Sequence, residues 1–263
     1  MTSRRDLLLL GAGLVCGRSI KAQDDQTGGD PLGSMQYPSL REQTIGKATA
    51  RFSDAVIVRG PAFADDAMNV PLLVDARGLD KSGGGVARIR VAVDRNPVRA
   101  VLDFEPMRAL PMLAFRIRLE QASPVRAFVQ TRDGEWHVGS TWVQAAGGGC
   151  TVPGATRADG SWSRTLNQVQ ARFFNNVLEG SRRLRVRVMH PMDTGLVAGI
   201  PAFYIEDLQL VDGAGQVWWR LALHEPVSEN PLITFELPPQ PVSGLRLVGR
   251  DNNGNRIDAE VVA

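Results

Sequence analysis

Cys150 is the residue whose type and surroundings most favour covalent chemistry. It follows three consecutive glycines, Gly147, Gly148 and Gly149, and the chain's second cysteine, Cys16, stands far away near the N-terminus. Glycine lets a backbone swing or approach another surface closely, because no Cβ restricts φ. A lone thiol behind such an arm predicts an exposed cysteine on a flexible segment, presented to another molecule. A linker that contains a cysteine by chance fits the same residues.

The first 22 residues have the composition of an export signal. Arg4 and Arg5 precede an apolar run over residues 7–15, and Ala22 is a small residue before a polar stretch. The run is too short to span a bilayer, and paired arginines favour the twin-arginine route for folded proteins. We expect a periplasmic mature protein without a membrane span, in which Cys16 has been removed with the signal.

The charge balance gives no support for a nucleic-acid partner. The whole chain has 30 Lys and Arg residues against 28 Asp and Glu residues. Removal of residues 1–22 leaves 26 basic and 27 acidic residues, a net charge near −1. The excess of basic residues therefore belongs mostly to the export signal, and we expect no nucleic-acid binding.

Residues suited to metal or acid–base chemistry are sparse. The histidines, His137, His190 and His224, are scattered and share no ligand spacing with a carboxylate. Zinc-protease, phosphate-loop and nucleophile-elbow motifs are absent from the sequence. We therefore predict no metal site, no cofactor and no catalytic residue. A thiol enzyme stays open as an alternative, because the fold could bring His137 or His190 to Cys150 as a base.

Residues 50–150 predict one β-sandwich. Hydrophobic and charged side chains alternate in segments such as residues 86–94, which places Ile89, Val91 and Val93 on one face. Such alternation is typical of strands with one buried and one solvated face. About seven short segments of this kind, separated mostly by Gly, Pro or Asp, match what a small sandwich requires.

Residues 182–263 predict a second all-β unit. Alternation resumes there, with Val186 and Val188 expected to face the buried strands of the first half. The intervening linker, residues 151–181, is expected to hold a short helix over residues 166–177, where apolar residues recur at four-residue spacing. A polar N-terminal segment, residues 23–49, precedes both units.

Several short motifs carry a resemblance to a known family of protein pairs. In the first half they are residues 61–71 (PAFADDAMNVP), 93–97 (VDRNP) and 148–150 (GGC). In the second half they are residues 190–196 (HPMDTGL), 200–205 (IPAFYI), 228–231 (SENP) and 251–254 (DNNG). The first half resembles the sulfur carrier SoxY and the second resembles its partner SoxZ. The fused arrangement is similar to the SoxYZ-like carriers associated with quinoprotein dehydrogenases.

The resemblance implies two immunoglobulin-like β-sandwiches, joined here by the Gly-rich arm and the linker. It also implies that Cys150 holds a sulfur intermediate covalently while separate periplasmic redox or sulfur-oxidising enzymes, such as a quinoprotein dehydrogenase system, process it. The separate carrier ends close to its cysteine, whereas residues 151–153 continue this chain into the second unit. The alternative function is a non-catalytic scaffold for a periplasmic quinoprotein dehydrogenase, with Cys150 incidental.

Overall fold

Two β-sheets, which face each other across a hydrophobic core, account for most of the protein. The computed structural model describes residues 27–81, 85–175, 180–239 and 243–262. The helices of the described residues are short: α1 (Tyr37–Ile45), α2 (Arg77–Lys81), α3 (Ala155–Ala158) and α4 (Trp162–Thr165). None of them is long and apolar enough to cross a membrane. The predicted export signal, with Cys16, lies outside the described residues.

The strands of the described residues are, in chain order, β1 (Ala50–Phe52), β2 (Ile57–Arg59), β3 (Phe63–Ala64), β4 (Val70–Asp75), β5 (Val86–Val93), β6 (Ala100–Glu105), β7 (Met112–Ile117), β8 (Ser123–Thr131), β9 (Trp136–Ala145), β10 (Val169–Asn175), β11 (Arg182–Val188), β12 (Ile205–Val211), β13 (Val217–Leu223), β14 (Leu232–Leu237), β15 (Arg246–Asp251) and β16 (Arg256–Glu260). The ten-stranded sheet has the order β1-β9-β8-β5-β6-β13-β12-β15-β16, with β3 also paired to β9. The six-stranded sheet has the order β10-β11-β14-β7-β4-β2.

Each sheet runs without a break through both halves of the chain. In the ten-stranded sheet β6 pairs with β13, so that Glu105 lies opposite Arg220. In the six-stranded sheet β7 pairs with β14, so that Ala114 lies opposite Thr234. The two halves are therefore joined by strand pairing as well as by the chain between them.

The all-β prediction is confirmed, and so is the predicted core. One buried cluster contains all five residues that were expected to face each other: Ile89, Val91, Val93, Val186 and Val188. The continuity of the sheets was not predicted, because alternation shows which face of a strand is buried but does not show which edge it pairs with.

The helix predicted over residues 166–177 is wrong, because most of that segment forms β10. Val169, Ala171 and Phe173 are partly buried against the core, at the two-residue spacing of a strand. Val169 and Phe173 fit a helical period and a strand period equally well. Pairing along the whole length of β11 decides in favour of the strand.

The polar N-terminal segment is tied to the first half by a buried ion network. Arg126 donates to Asp30 Oδ1 at 2.6 Å and to Asp94 Oδ1 at 2.8 Å, and all three side chains are fully buried. The Arg126 guanidinium also lies 4.7 Å from the centre of the Tyr37 ring. Tyr37 and Leu40 bring helix α1 into a second hydrophobic cluster. The segment therefore completes the first half.

Candidate functional site

The glycine arm lies against the loop that follows β7. After β9 ends at Ala145, the Gly148 N–H donates to the Glu120 carbonyl and the Gly149 N–H donates to the Leu119 carbonyl, each at 3.0 Å. Gly147 and Gly148 have φ values of 100° and 76°, in the left-handed region that favours glycine. The path of the arm therefore requires glycine at these two positions.

Gly149 is required for a different reason, which is the closeness of its neighbours. A Cβ at this position would lie 2.2 Å from the Ala67 carbonyl oxygen and 2.7 Å from the Leu119 carbonyl oxygen. Asn96 braces the same loop, because its amide donates to the Arg118 carbonyl at 2.8 Å and accepts from the Glu120 N–H at 2.9 Å. The arm is thus packed against the domain.

Cys150 is buried, with 1% of its surface exposed, and the prediction of an exposed thiol is wrong. Its N–H donates to Glu120 Oε2 at 3.1 Å, and its Sγ lies 3.8 Å from the Arg118 carbonyl oxygen. The Thr194 hydroxyl donates to the Cys150 carbonyl at 2.7 Å. Segments distant in the sequence supply this cover, so the three preceding glycines could not reveal it.

The surroundings of Cys150 keep its thiol protonated. Burial raises the pKa of Cys150 to about 12, the nearby Glu120 carboxylate adds to the rise, and Arg118 opposes it. The thiolate, not the thiol, is the nucleophile. In this arrangement Cys150 is therefore held at neutral pH as the thiol, the weaker nucleophile.

Arg118 joins the arm to the second half of the chain. Its Nη1 donates to the Val152 carbonyl at 3.2 Å and to the Gly149 carbonyl at 3.4 Å. Its Nη2 donates to the carbonyls of Met192 at 3.3 Å and Pro191 at 3.4 Å. The side chain is 1% exposed, and burial lowers its pKa. Sequence analysis missed Arg118, because it resembles any charged residue at the end of an alternating strand.

His190 orders the turn that carries Thr194, and its polar partners among the described residues are Met192 and Asp251. Its Nδ1 accepts the Met192 N–H at 3.1 Å, and its Nε2 lies 3.6 Å from Asp251 Oδ2. Burial lowers the pKa of His190 to about 4, so the ring is neutral at physiological pH. Its neighbours are those of a structural residue.

His137, the other candidate base, lies near the start of β9, whereas Cys150 follows the end of that strand. Arg51 donates to its Nδ1 at 3.4 Å, and Glu135 lies close to its other ring nitrogen. Within the described residues, the side chains that hydrogen bond to Cys150 or act on it electrostatically belong to Arg118, Glu120 and Thr194. Neither candidate histidine is among them.

The chain that follows Cys150 is anchored to the second half as well. A Cβ at Gly154 would lie 1.9 Å from Glu229 Oε2, and the same carboxylate accepts the Thr156 N–H at 3.3 Å. Arg157 forms an ion pair with the buried Asp193. Cys150 therefore sits on a segment that is held at both ends.

Comparison with protein families identifies both halves. The model described as "Sulfur oxidation protein SoxY" matches residues 41–150, and the model described as "Sulphur oxidation protein SoxZ" matches residues 175–262. The chain joins a SoxY domain to a SoxZ domain. Cys150 is the last residue of the SoxY match, and the turn that covers it, residues 190–196, belongs to the SoxZ domain.

Among solved structures, the chain is similar to that of the sulfur carrier protein SoxY from Chlorobium limicola f thiosulfatophilum. The two are 18% identical, and the match covers 47% of this chain and 98% of that one, with a TM-score of 0.37. Comparison with curated protein sequences gives no match.

The SoxY–SoxZ junction brings together much of what the sequence singled out. Gly149 and Cys150 meet the SoxZ turn through Arg118 and Thr194. The described residues contain no group of three or more His, Cys, Asp or Glu side chains arranged to hold a metal ion. The arrangement around Cys150 holds the thiol-bearing segment between the two domains.

Proposed function

We propose that this protein is a periplasmic carrier that holds a sulfur-containing intermediate covalently on Cys150 while partner enzymes process it. The observation that carries the proposal is the position of Cys150, which ends the SoxY match and contacts the SoxZ domain. Both matched families are sulfur-oxidation proteins. A carrier needs one reactive group and no base of its own, in keeping with the side chains around this thiol.

The burial of Cys150 implies that loading begins with opening of the arm. The closed arm is held by separate hydrogen bonds: the Cys150 N–H donates to the Glu120 carboxylate, the Thr194 hydroxyl donates to the Cys150 carbonyl, and Arg118 donates to the Gly149 carbonyl. Each such bond stabilises by roughly 1 kcal/mol, so partial opening is accessible without unfolding of the sandwich. A solvated cysteine has a pKa near ~8.5, so the released thiol ionises far more readily than the buried one.

The chemistry of loading defines what the partners must supply. When the Cys150 thiolate and a sulfur anion R–S⁻ join, one S–S bond forms and two electrons leave. A partner redox enzyme must accept those electrons. The expected partners are therefore periplasmic redox or sulfur-oxidising enzymes, among which a quinoprotein dehydrogenase system is our preferred candidate. Release by exchange with another thiolate needs no further oxidant.

A scaffold without a cargo remains the second candidate, and the burial of Cys150 favours it. Free cysteines that serve only in packing are usually buried. A scaffold of this kind would display its sheets to a dehydrogenase and would not use the thiol. The two candidates differ in what happens when the sulfur atom is removed.

Replacement of Cys150 by serine distinguishes the carrier function from the scaffold function. We expect native protein, incubated with host periplasmic extract and ³⁵S-thiosulfate, to gain a label that dithiothreitol releases, and Cys150→Ser to gain none. Circular dichroism shows whether the variant is folded, and Cys150→Ala is a second variant should serine be poorly tolerated in the buried site. A serine variant that supports the host pathway as well as native protein contradicts the carrier and favours the scaffold.

Export to the periplasm is proposed from Arg4 and Arg5 and the apolar run that follows them. If the twin-arginine route carries the protein, replacement of both arginines by lysine will sharply reduce the periplasmic yield. An unchanged yield after that replacement points to the general secretion route. Cytoplasmic retention of the native protein contradicts a periplasmic function.

A further inference from the structure

The outer face of the six-stranded sheet carries arginines at both edges and near its centre. One cross-strand row runs from edge to edge through Arg172, Arg185, Thr234, Ala114, Leu73 and Arg59. In the adjacent row Arg187 lies opposite Leu232, and Arg116 lies opposite Pro71. We call this surface, with its five exposed arginines Arg59, Arg116, Arg172, Arg185 and Arg187, the basic sheet face.

The basic sheet face carries more arginines than carboxylates. Among the described residues, none of its five arginines forms a salt bridge. The two carboxylates of the same sheet face are already engaged, Asp75 with Arg77 and Glu236 with Arg183. None of the five arginines is therefore neutralised by a direct ion pair, although the carboxylates of Asp66 and Glu229 line the same groove as Arg116 and Arg187.

The ten-stranded sheet shows the opposite arrangement. Most of its outward-facing arginines form ion pairs with carboxylates on neighbouring strands: Arg88 with Asp103, Arg90 with Asp103, Arg220 with Glu105, Arg246 with Asp258 and Arg250 with Asp207. Among the described strands of this sheet, Arg256 on β16 is an exposed arginine without an ion pair. The whole chain has 30 basic and 28 acidic residues, so a generally basic composition does not explain the difference. Within the described strands, exposed arginines without an ion pair are therefore concentrated on the six-stranded sheet.

Repulsion between two of these arginines destabilises the sheet when no partner is bound. Arg172 lies directly opposite Arg185, and like charges in that position destabilise a sheet. Both guanidinium groups lie 5.1 Å from the centre of the Phe174 ring, which holds them over an aromatic face. Arginine held in this way is well suited to an interface, because little side-chain freedom is left to lose on binding.

Two grooves give the basic sheet face an apolar centre and connect it to the Cys150 edge. A groove of about 520 Å³ lies between Arg59 and Arg185, with Leu73 and Ala114 in its lining. A second groove, of about 370 Å³, is lined by Arg116, Arg187 and Glu229. The Glu229 carboxylate also contacts Thr156, six residues after Cys150 in the chain. One end of the face therefore borders the site.

We propose that the basic sheet face is the docking surface of an acidic protein partner, whose body then lies beside the Cys150 edge. Charge complementarity selects an acidic surface and accelerates its encounter. The apolar groove residues between charged margins match the anatomy of a protein–protein interface, whereas DNA-binding surfaces are more polar and more strongly charged. The inference goes beyond the carrier function, because it holds whether or not Cys150 carries sulfur.

Site-specific photo-crosslinking in the host tests the proposal. A photo-reactive amino acid replaces Thr234, at the centre of the basic sheet face, in the full-length chain. The matched control carries the same amino acid at Gln209, on the outer face of the ten-stranded sheet. We expect a discrete protein adduct from position 234 and none from position 209. The same adduct from both positions, or no adduct from position 234, overturns the proposal.

The captured protein is then purified, and its affinity for the native chain and for arginine variants is measured at physiological ionic strength. We expect Arg172→Gln/Arg185→Gln/Arg187→Gln to raise its Kd about tenfold or more, which corresponds to about 1.4 kcal/mol. The matched variant Arg220→Gln/Arg246→Gln/Arg250→Gln should change the Kd less than about twofold, because charges beyond a Debye length of ~8 Å are screened. Equal affinity for both variants overturns the proposal. So does tighter binding of native protein to a 20-base-pair DNA duplex or to vesicles of phosphatidylglycerol and phosphatidylcholine.

Discussion

The Thr194 hydroxyl donates a 2.7 Å hydrogen bond to the carbonyl oxygen of Cys150, across the junction of the SoxY and SoxZ domains. The SoxZ domain thus helps to hold the segment that carries the buried thiol. Because one chain carries both domains, every carrier arm is made together with its cover. The predictions that follow concern how this cover controls the reactivity of Cys150.

The alkylation rate of Cys150 should keep rising with pH where that of an exposed cysteine levels off. Burial raises the pKa of Cys150 to about 12, above the value of about 8.5 for a solvated thiol. The thiol proton is bound more tightly in the closed arm than in the open arm. Protonation of Cys150 therefore stabilises the closed arm fully below about pH 8.5, and this stabilisation is lost as the pH rises towards 12. Iodoacetamide labelling, followed by intact mass, should accelerate about tenfold per pH unit beyond pH 8.5. A plateau near pH 8.5 would show that the thiol is exposed in solution.

Gly149→Ala should open the arm. The added Cβ would lie 2.2 Å from the Ala67 carbonyl oxygen, and backbone atoms cannot move aside cheaply. We expect labelling of Cys150 at pH 7.5 to accelerate by about tenfold or more, with a thermal unfolding midpoint close to that of native protein, since the sandwich core is untouched. Gly148→Ala is the matched control, because its Cβ meets no atom within 4 Å and its cost is the backbone strain alone, about 1–2 kcal/mol. Equal rates for the two variants would show that close packing at Gly149 does not hold the arm.

Arg118→Met should loosen both the arm and the domain junction. The change removes a buried guanidinium that donates to four carbonyls on two segments. We expect the free energy of unfolding to fall by about 1–3 kcal/mol, because some of those carbonyls lose their partner. Cys150 should also be labelled faster. Urea denaturation measures the first effect and iodoacetamide the second.

Arg116→Met, two residues earlier on β7, is the control for Arg118→Met. Arg116 is exposed, and its loss should change the free energy of unfolding by less than about 0.5 kcal/mol. If both substitutions have the same effect on stability and labelling, the hydrogen bonds of Arg118 do not hold the arm closed.

Sequence alternation was sufficient to predict the fold class and the main core residues. Val91 and Val186 could be assigned to a buried face because each lies in a series of hydrophobic residues at two-residue spacing. The same criterion failed at residues 166–177, where the apolar spacing fits two periods. It also could not reveal that β6 pairs with β13, since edge pairing depends on residues far apart in the chain.

The candidate site shows the same limit more sharply. Cys150 and its glycines were identifiable because they are chemically unusual. The burial of Cys150 could not be predicted, because it depends on contacts with Arg118 and Thr194, and the sequence around those two residues does not indicate such a role. A run of glycines permits both a free arm and a closely packed arm, and tertiary contacts determine which of the two forms.

The most direct test of the carrier function is the intact mass of the protein isolated from its own host during growth on a reduced sulfur compound. The account predicts a fraction of molecules heavier than the mature chain by a sulfur-containing group, which peptide mapping places on Cys150 and which a thiol reductant removes. Cys150→Ser, isolated in the same way, should show the unmodified mass only. A native protein that carries no adduct under these conditions, while the host oxidises sulfur normally, would contradict the central claim.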